Sequence, residues 1–541
     1  MQRALLSSTR FSFTWPTVRL PGERWRSAAL AHPLASLTAL VAGVVLRALL
    51  LARPGLHPDE ALYASWALRI ADGSDPALLG VYVDKPPLLL YLLAGLFQLA
   101  GFDGHAGPDI APLLLAGRLA ALLASAASLA LLWLIARRVY QPAVALIALA
   151  LFALSPLAVR LAPTLFTDPW LTLWMLLSLW AALAGRSWLA GIACGLAFAT
   201  KQQGLLLAPL LVAAFLGALR QPAQPLPASR RRLIWRWCNG FALIAVAVLW
   251  WDSLRWQWMP SFWERSAQSY GGVALALDAS LWPRLAQWGE LLGMALGWPL
   301  WLALGALFGR ALLVHRGRPA LSPAALGWFD RLLLAFIAAY LLLHLATDLA
   351  AWDRYLLPLI PLLALPLARG AVWAWRASFQ PAASAGRPAW IKTGAAAGLV
   401  VGLLCAGYTA AFSPLPLGDG GAYDDVPGVA AHMRTAESSG VVLYHQALGW
   451  HYGFYLYGAP VDLRWWQNPA DLARKASASL GQRQLIAFAA GREDEAGVRA
   501  SLARAGLVLR PVTPAGPGQA ASSAPLYSIE PLLAGAPSHA H

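Results

Sequence analysis

The sequence predicts a polytopic α-helical membrane protein of about 11 spans with a small C-terminal α/β domain on the outer side. Three observations predict it. Of the 541 residues, 59% are hydrophobic and only 12% are charged, about half the charged share of an ordinary soluble domain. Apolar runs near the roughly 20 residues needed to cross a bilayer recur through the first three quarters of the chain. Lys and Arg gather in alternate loops, the bias that sets orientation in a membrane. Such a composition excludes a soluble globular enzyme, a disordered chain and a fibrous repeat.

The elements follow in order. Residues 1–27 are basic and carry no convincing cleavage site, so they read as an uncleaved cytoplasmic segment. The spans are expected at 28–51, 111–136, 142–160, 168–185, 187–200, 203–219, 233–252, 286–309, 328–347, 354–372 and 393–413, within a transmembrane domain 28–413. The run 86–101 is shorter and opens on Pro86-Pro87. If it spanned, Arg137-Arg138 and the run Arg230 to Arg232 would fall outside. If it does not, they fall inside, with Arg186, Arg236, Arg310 and Arg369, while most acidic residues fall outside. It is therefore read as an interfacial or re-entrant segment within an outer loop 52–110. The net charge of +15 is then largely an inner-face arginine excess. The Arg230 to Arg232 run suits anionic lipid, and no nucleic-acid partner is expected.

From 414 to 541 the composition turns polar. Short β-like runs (Val441 to His445, Pro460 to Trp465, Gln484 to Ala490, Leu507 to Val512, Leu526 to Glu530) alternate with helix-like stretches near 426–438, 469–480 and 493–505. That alternation predicts the α/β domain. Cys194, Cys238 and Cys405 lie in or beside apolar runs, which supports neither a disulfide framework nor a cysteine zinc site.

Ionisable residues cluster on the predicted outer face. The first outer loop carries His57, Asp59, Glu60 and Tyr63, then Asp84 and Lys85 ahead of Pro86-Pro87. Thr167-Asp168-Pro169 and Thr200-Lys201 stand at the mouths of later spans, and Asp353-Arg354-Tyr355 near the tenth. A charge at membrane depth is costly and suggests function. The competing explanation is snorkelling to the water boundary, or an N-cap role for Asp168. Three cations at one depth, Lys85, Lys201 and Arg354, suit a lipid-linked phosphate, with Arg354 able to bind it in bidentate fashion. A carboxylate facing them could serve as general base.

Asp59-Glu60 with Tyr63, Asp84-Lys85-Pro86-Pro87-Leu88, Thr167-Asp168, Thr200-Lys201 and Arg354-Tyr355-Leu356-Leu357-Pro358, in this order, resemble the serial motifs of the glycosyltransferase family 39 and aminoarabinose-transferase group. These are membrane glycosyltransferases of the GT-C fold, and the resemblance covers roughly 30–415. It implies transfer of a sugar, with inversion, from a polyprenyl-phosphate donor on the outer side of a bacterial inner membrane. The acceptor would be a lipid A-like glycolipid, a glycan or a protein. Asp59, with Glu60 beside it, would be the catalytic base and Asp168 a second acidic site residue. Lys85, Lys201, Arg354 and Tyr355 would hold the donor phosphate, with Tyr63 and Asp84 on the substrate. Leu62 stands where the aminoarabinose transferases carry an Arg, and Asp84 where they carry Glu. A zinc ion in those relatives is partly held by a histidine of a later outer loop, and the stretch 253–285 has none here. A divalent metal is left open, with His57, Asp59 and Asp84 as candidate ligands.

Two aromatic groups stand apart from these motifs. Trp256, Trp258, Trp263, Tyr270 and Trp282 suit an interfacial belt better than a sugar face. The patch from Tyr444-His445 to Trp450–Tyr455 suits a packed core facing the membrane domain better than an acceptor or metal site. A transporter or flippase of lipid-linked sugars is the competing class; it predicts internal repeats and polar groups at the midplane, and no repeat is found.

Overall fold

The computed structural model describes residues 31–52, 55–104, 109–220, 230–270, 274–276, 281–314, 327–349, 352–379, 389–412, 422–434, 439–489, 493–512 and 526–532. The segment 1–27 and much of the expected inner-loop arginine lie outside them. The chain is mostly helical, with several apolar helices.

The first helices are α1 (Ala31–Ala48), α2 (Pro58–Ala71), α3 (Leu88–Leu99), α4 (Ile110–Val139), α5 (Pro142–Ala153) and α6 (Pro156–Leu161). Among the described residues four helices are long and apolar enough to cross a bilayer, α4 among them, and a bent pair brings the number to five. Other expected spans are shorter or broken. The run 142–160 is divided at Ser155, because Pro156 has no N–H to offer the carbonyl of Phe152 one turn back. Arg47 satisfies that end instead. Its fully buried guanidinium donates to the carbonyls of Phe152 (3.1 Å), Ala153 (2.8 Å) and Gly43 (2.8 Å) and to Ser125 Oγ (2.9 Å). Arg47 thus fastens α1 to α4 and α5.

Helix α3 begins directly after Pro86-Pro87 and runs 12 residues, about 18 Å, too short for the roughly 30 Å hydrocarbon core. It folds back on α2, where Gln98 Nε2 donates to the Ala71 carbonyl at 2.8 Å.

There follow α7 (Thr167–Leu183), α8 (Ser187–Thr200), α9 (Gly204–Ala218), α10 (Arg230–Ser253) and α11 (Phe262–Tyr270). Helices α7 and α8 form a tight antiparallel hairpin, and α8 packs closely along α10. A Cβ on Gly191 would lie 2.0 Å from the Trp237 carbonyl oxygen, and one on Gly240 2.5 Å from that of Trp188, so only glycine admits this approach.

The expected span 286–309 is not one straight helix. It is α12 (Leu281–Leu296) and α13 (Trp298–Val314), bent by 91°. Gly297 takes φ +82°, a left-handed conformation that ends α12. Trp301 Nε1 then donates to the Leu292 carbonyl at 2.8 Å and braces the corner. Helix α14 (Trp328–Ala346), a 3-10 turn at Asp353–Leu356, α15 (Leu359–Phe379) and a helix at Ala389–Phe412 complete the bundle.

The C-terminal stretch forms a five-stranded sheet in the order β2-β1-β3-β5-β4, with β1 (Val441–His445), β2 (Val461–Trp465), β3 (Gln484–Ala487), β4 (Leu507–Pro511) and β5 (Leu526–Pro531). β1 is parallel to both β2 and β3, and β5 is antiparallel to β3 and β4. Four of the five residues of β1 are buried, as expected of a central strand covered on both faces. The helix Gly449–Tyr455 seats this unit on α2. There His451 Nε2 is 2.9 Å from the Leu56 carbonyl, His451 stacks on Tyr423, and Tyr457 hydrogen-bonds Asp72. Most of the aromatic–histidine patch is therefore packing, with His451, Tyr452, Phe454 and Tyr455 buried, while Trp450 is exposed.

Candidate active site

Four helix ends and one 3-10 turn bring the candidate residues together. Helix α2 starts with a capping box. His57 Nδ1 accepts the Asp59 amide at 3.1 Å, and Glu60 Oε2 accepts the His57 amide at 3.0 Å. Pro58 fits the first turn because its missing N–H would be unsatisfied there anyway. Asp59 is thereby set at the start of α2, facing the turn Asp353–Leu356. Its Oδ2 lies 2.5 Å from an Arg354 guanidinium nitrogen.

Arg354 is buried and its guanidinium lies over two rings, 5.1 Å from the Phe166 centre and 5.5 Å from that of Trp352. These rings fix its plane and attract its charge. Tyr355, next in the chain, is held by Tyr340, whose hydroxyl donates to the Tyr355 carbonyl at 3.2 Å.

Asp168 lies in the first turn of α7 and Lys201 caps the C-terminus of α8. The hairpin places them side by side, with Lys201 Nζ 2.7 Å from Asp168 Oδ1 and both side chains buried. The same ammonium is 4.6 Å above the Tyr355 ring centre. Lys85, also buried, pairs with its neighbour Asp84. The Asp84 carbonyl accepts from Gln202 Nε2 at 2.5 Å, which ties the first outer loop to the turn after α8.

The electrostatics follow from this packing. Burial pushes the Lys201 ammonium down to about 8; Asp168 opposes the shift, while Arg354 and Lys85 add to it. Burial alone would raise the Asp59 carboxyl. Arg354, His57 and Lys85, with the hydrogen bond to Arg354, outweigh it and hold that carboxyl below its ordinary range. Asp353 is pushed up by burial.

Glu60 has another task. Besides capping α2, its Oε1 accepts the Leu165 amide at 2.8 Å, and its side chain is buried. Both oxygens serve backbone amides, so Glu60 locks α2 to the loop ahead of α7. Tyr63 is also buried, one turn into α2. The metal candidates do not fit a metal. His57 Nδ1 is taken by the Asp59 amide, Asp59 by Arg354 and Asp84 by Lys85. Among the described residues no three His, Cys, Asp or Glu side chains are grouped to hold an ion.

One positioning residue escapes the sequence reading. Arg255 follows α10 and is fully buried. It donates to the carbonyls of Leu78 (3.1 Å) and Val81 (2.9 Å), inside the loop that presents Asp84 and Lys85. Leu78 has φ +55°, a strained conformation for a leucine. The stretch 253–285 reads as an aromatic belt, which masked its one buried cation. Trp256, Trp258 and Trp282 are indeed exposed.

Comparison with known proteins places these residues in a family context. Residues 84–251 match the family described as dolichyl-phosphate-mannose-protein mannosyltransferase. An undecaprenyl phosphate-alpha-4-amino-4-deoxy-L-arabinose arabinosyl transferase of Pseudomonas aeruginosa (strain LESB58) is 30% identical over 318 residues, 50% of this chain and 54% of that protein. Its counterpart in strain PAO1 is 29% identical over the same shares. The chain thus spans about half the length of the curated relatives it matches. Among solved structures, the Archaeoglobus fulgidus oligosaccharyltransferase aligns with 90% of this chain and 70% of its own at 12% identity and a TM-score of 0.49. The S. cerevisiae protein O-mannosyltransferase complex bound to its sugar donor aligns with 47% of this chain and 35% of its own, at 20% identity and a TM-score of 0.32. Residues 84–251 are therefore similar to the mannosyltransferase family, and half of the chain is similar to the aminoarabinose transferases.

Proposed function

We propose that this chain is an inverting glycosyltransferase that moves a sugar from a polyprenyl-phosphate donor to a cell-envelope acceptor. The acceptor is a lipid A-like glycolipid, a glycan or a protein, met on the outer face of a bacterial inner membrane. Residues 28–413 form the membrane domain, with a cytoplasmic N-terminus, and 414–541 lie on the outer side. One observation carries the reading: the Asp59–Arg354 and Asp168–Lys201 pairs converge from distant parts of the chain, joined through Tyr355.

Three cations in one water-poor site attract a phosphodiester anion and stabilise the phosphate that leaves. Arg354, with its plane fixed between rings, offers two parallel donors; Lys85 and Lys201 offer point charges. The acceptor hydroxyl attacks the anomeric carbon as the bond from that carbon to the phosphate oxygen breaks. The phosphate departs with the bonding electrons, and the hydroxyl proton goes to the Asp59 carboxylate. Without donor, Arg354 and Lys85 hold Asp59 too acidic to be a strong base. A bound phosphate offsets those charges and raises its proton affinity, so the base is strengthened once substrate is in place. Asp168 positions Lys201, and Glu60 positions Asp59. No step is assigned to a metal.

A transporter is not favoured, because the buried pair Asp168–Lys201 stands at one end of α7 and α8 and Arg47 is engaged in packing. The test is release of polyprenyl phosphate from an undecaprenyl-phosphate-linked sugar by the full chain in vesicles. Lys85→Ala should raise the donor KM; an unchanged KM removes Lys85 from the phosphate site.

A further inference from the structure

The α7–α8 hairpin has a second charged end. Lys201 and Asp168 occupy one end; the connection Ala184–Arg186 forms the other, separated by the 14 residues of α8, about 20 Å. A cleft of about 390 Å³ opens there, lined by Arg186, Ser187, Trp188, Leu233 and Arg236 among others. The close glycine crossing creates it. Gly240 lets α10 lie on the Trp188 carbonyl, and Arg236, one turn earlier on α10, is carried to the start of α8.

Three features of the cleft point to an anion. Helix α8 begins at Ser187, so its first amides stand outside the intrahelical ladder and no side chain caps them. Ser187 is buried, and among the described residues its Oγ has no hydrogen-bond partner. Arg186 and Arg236 are exposed at the rim, with Arg186 stacked 5.0 Å over Trp180, and no acidic side chain lines the cleft. The surroundings point to a lipid. Trp188, Trp235, Ile234, Leu243 and Val246 are exposed beside it, on helices of apolar composition.

We infer that this cleft binds a phosphate group, carried by the headgroup of an anionic phospholipid in the leaflet opposite the active site. The phosphate oxygens meet Arg186, Arg236, the Ser187 hydroxyl and the first amides of α8, while the acyl chains lie on the exposed face of α10. The site is independent of sugar transfer and is tested without it.

The full chain, purified in detergent and stripped of lipid, is titrated with phosphatidylglycerol or phosphatidylcholine, and bound lipid is counted by native mass spectrometry. One phosphatidylglycerol should be retained in preference to phosphatidylcholine. Its affinity should fall about fivefold for each arginine removed in Arg186→Gln and Arg236→Gln. The exposed single variants are read separately if the double variant melts early. Retention unchanged in both variants, or equal retention of phosphatidylcholine, overturns the site. Inorganic phosphate at millimolar level is the second probe. Displacement of the lipid by it assigns the shared phosphate chemistry to a small anion; failure to displace assigns it to the headgroup on its lipid.

Discussion

Lys201 and Asp168 form an ion pair of 2.7 Å with both side chains buried, at the common end of the α7–α8 hairpin. The relationship is structural as well as chemical, because a charge buried there without its partner is costly. Asp168→Asn should lower stability by about 3–5 kcal/mol and also abolish transfer. Thermal melting of the purified variant checks the first part, and a melt identical to the parent would contradict the buried pair.

Lys201 must carry its proton to hold a phosphate, and burial brings it down to about 8. Below that pH the ammonium is present; as pH rises through it, the charge is lost. Donor affinity should therefore fall on the alkaline side with a midpoint near 8. Lys201→Arg should move that limb to higher pH, because guanidinium stays charged. The pH profile of kcat/KM for the donor is the measurement; coincident limbs would detach Lys201 from the phosphate.

Asp59 is held acidic chiefly by Arg354, against the opposing effect of burial. It is ionised throughout the neutral range and loses its charge only as pH falls below the ordinary carboxylate range. In Arg354→Gln the burial remains and the compensation goes. The acid limb of the transfer profile should then shift to higher pH, and the donor KM should rise. An unmoved acid limb would separate the two residues.

Glu60 and Asp59 are adjacent, yet the structure gives them separate work. Glu60→Gln keeps an acceptor for only one of the two amides and sets its NH2 against the other, so it should cost stability while transfer by the folded protein stays within about tenfold of the parent. Glu60→Ala leaves the His57 and Leu165 amides without an acceptor and should cost about 1–3 kcal/mol. Paired activity and melting curves check this, and loss of transfer in Glu60→Gln with an unchanged melt would return Glu60 to the chemistry.

Much of this arrangement is legible in the sequence. Charge is scarce, so each outer-face motif stands out, and the strands begin near the apolar runs that predict them. Lys85, Lys201 and Arg354 do gather, each beside a carboxylate. Other features depend on contacts between remote residues that no local pattern encodes. The second amide that donates to Glu60 is that of Leu165, 105 residues away. Arg255 reaches Leu78 across 177 residues. The bend at Gly297 is hidden because Trp298 and its neighbours are as apolar as a continuous span. The role of Arg47 is hidden in the same way, since it is Pro156 that exposes the carbonyl it caps.

The central claim is that Asp59 accepts the proton of the acceptor hydroxyl. Asp59→Asn keeps size and position but removes that capacity. Polyprenyl phosphate release by the variant in vesicles, at saturating donor and acceptor, tests it most directly. The account predicts a loss of about 10²–10⁴-fold in kcat with the donor still bound. Release at the parent rate by a folded Asp59→Asn protein would contradict it.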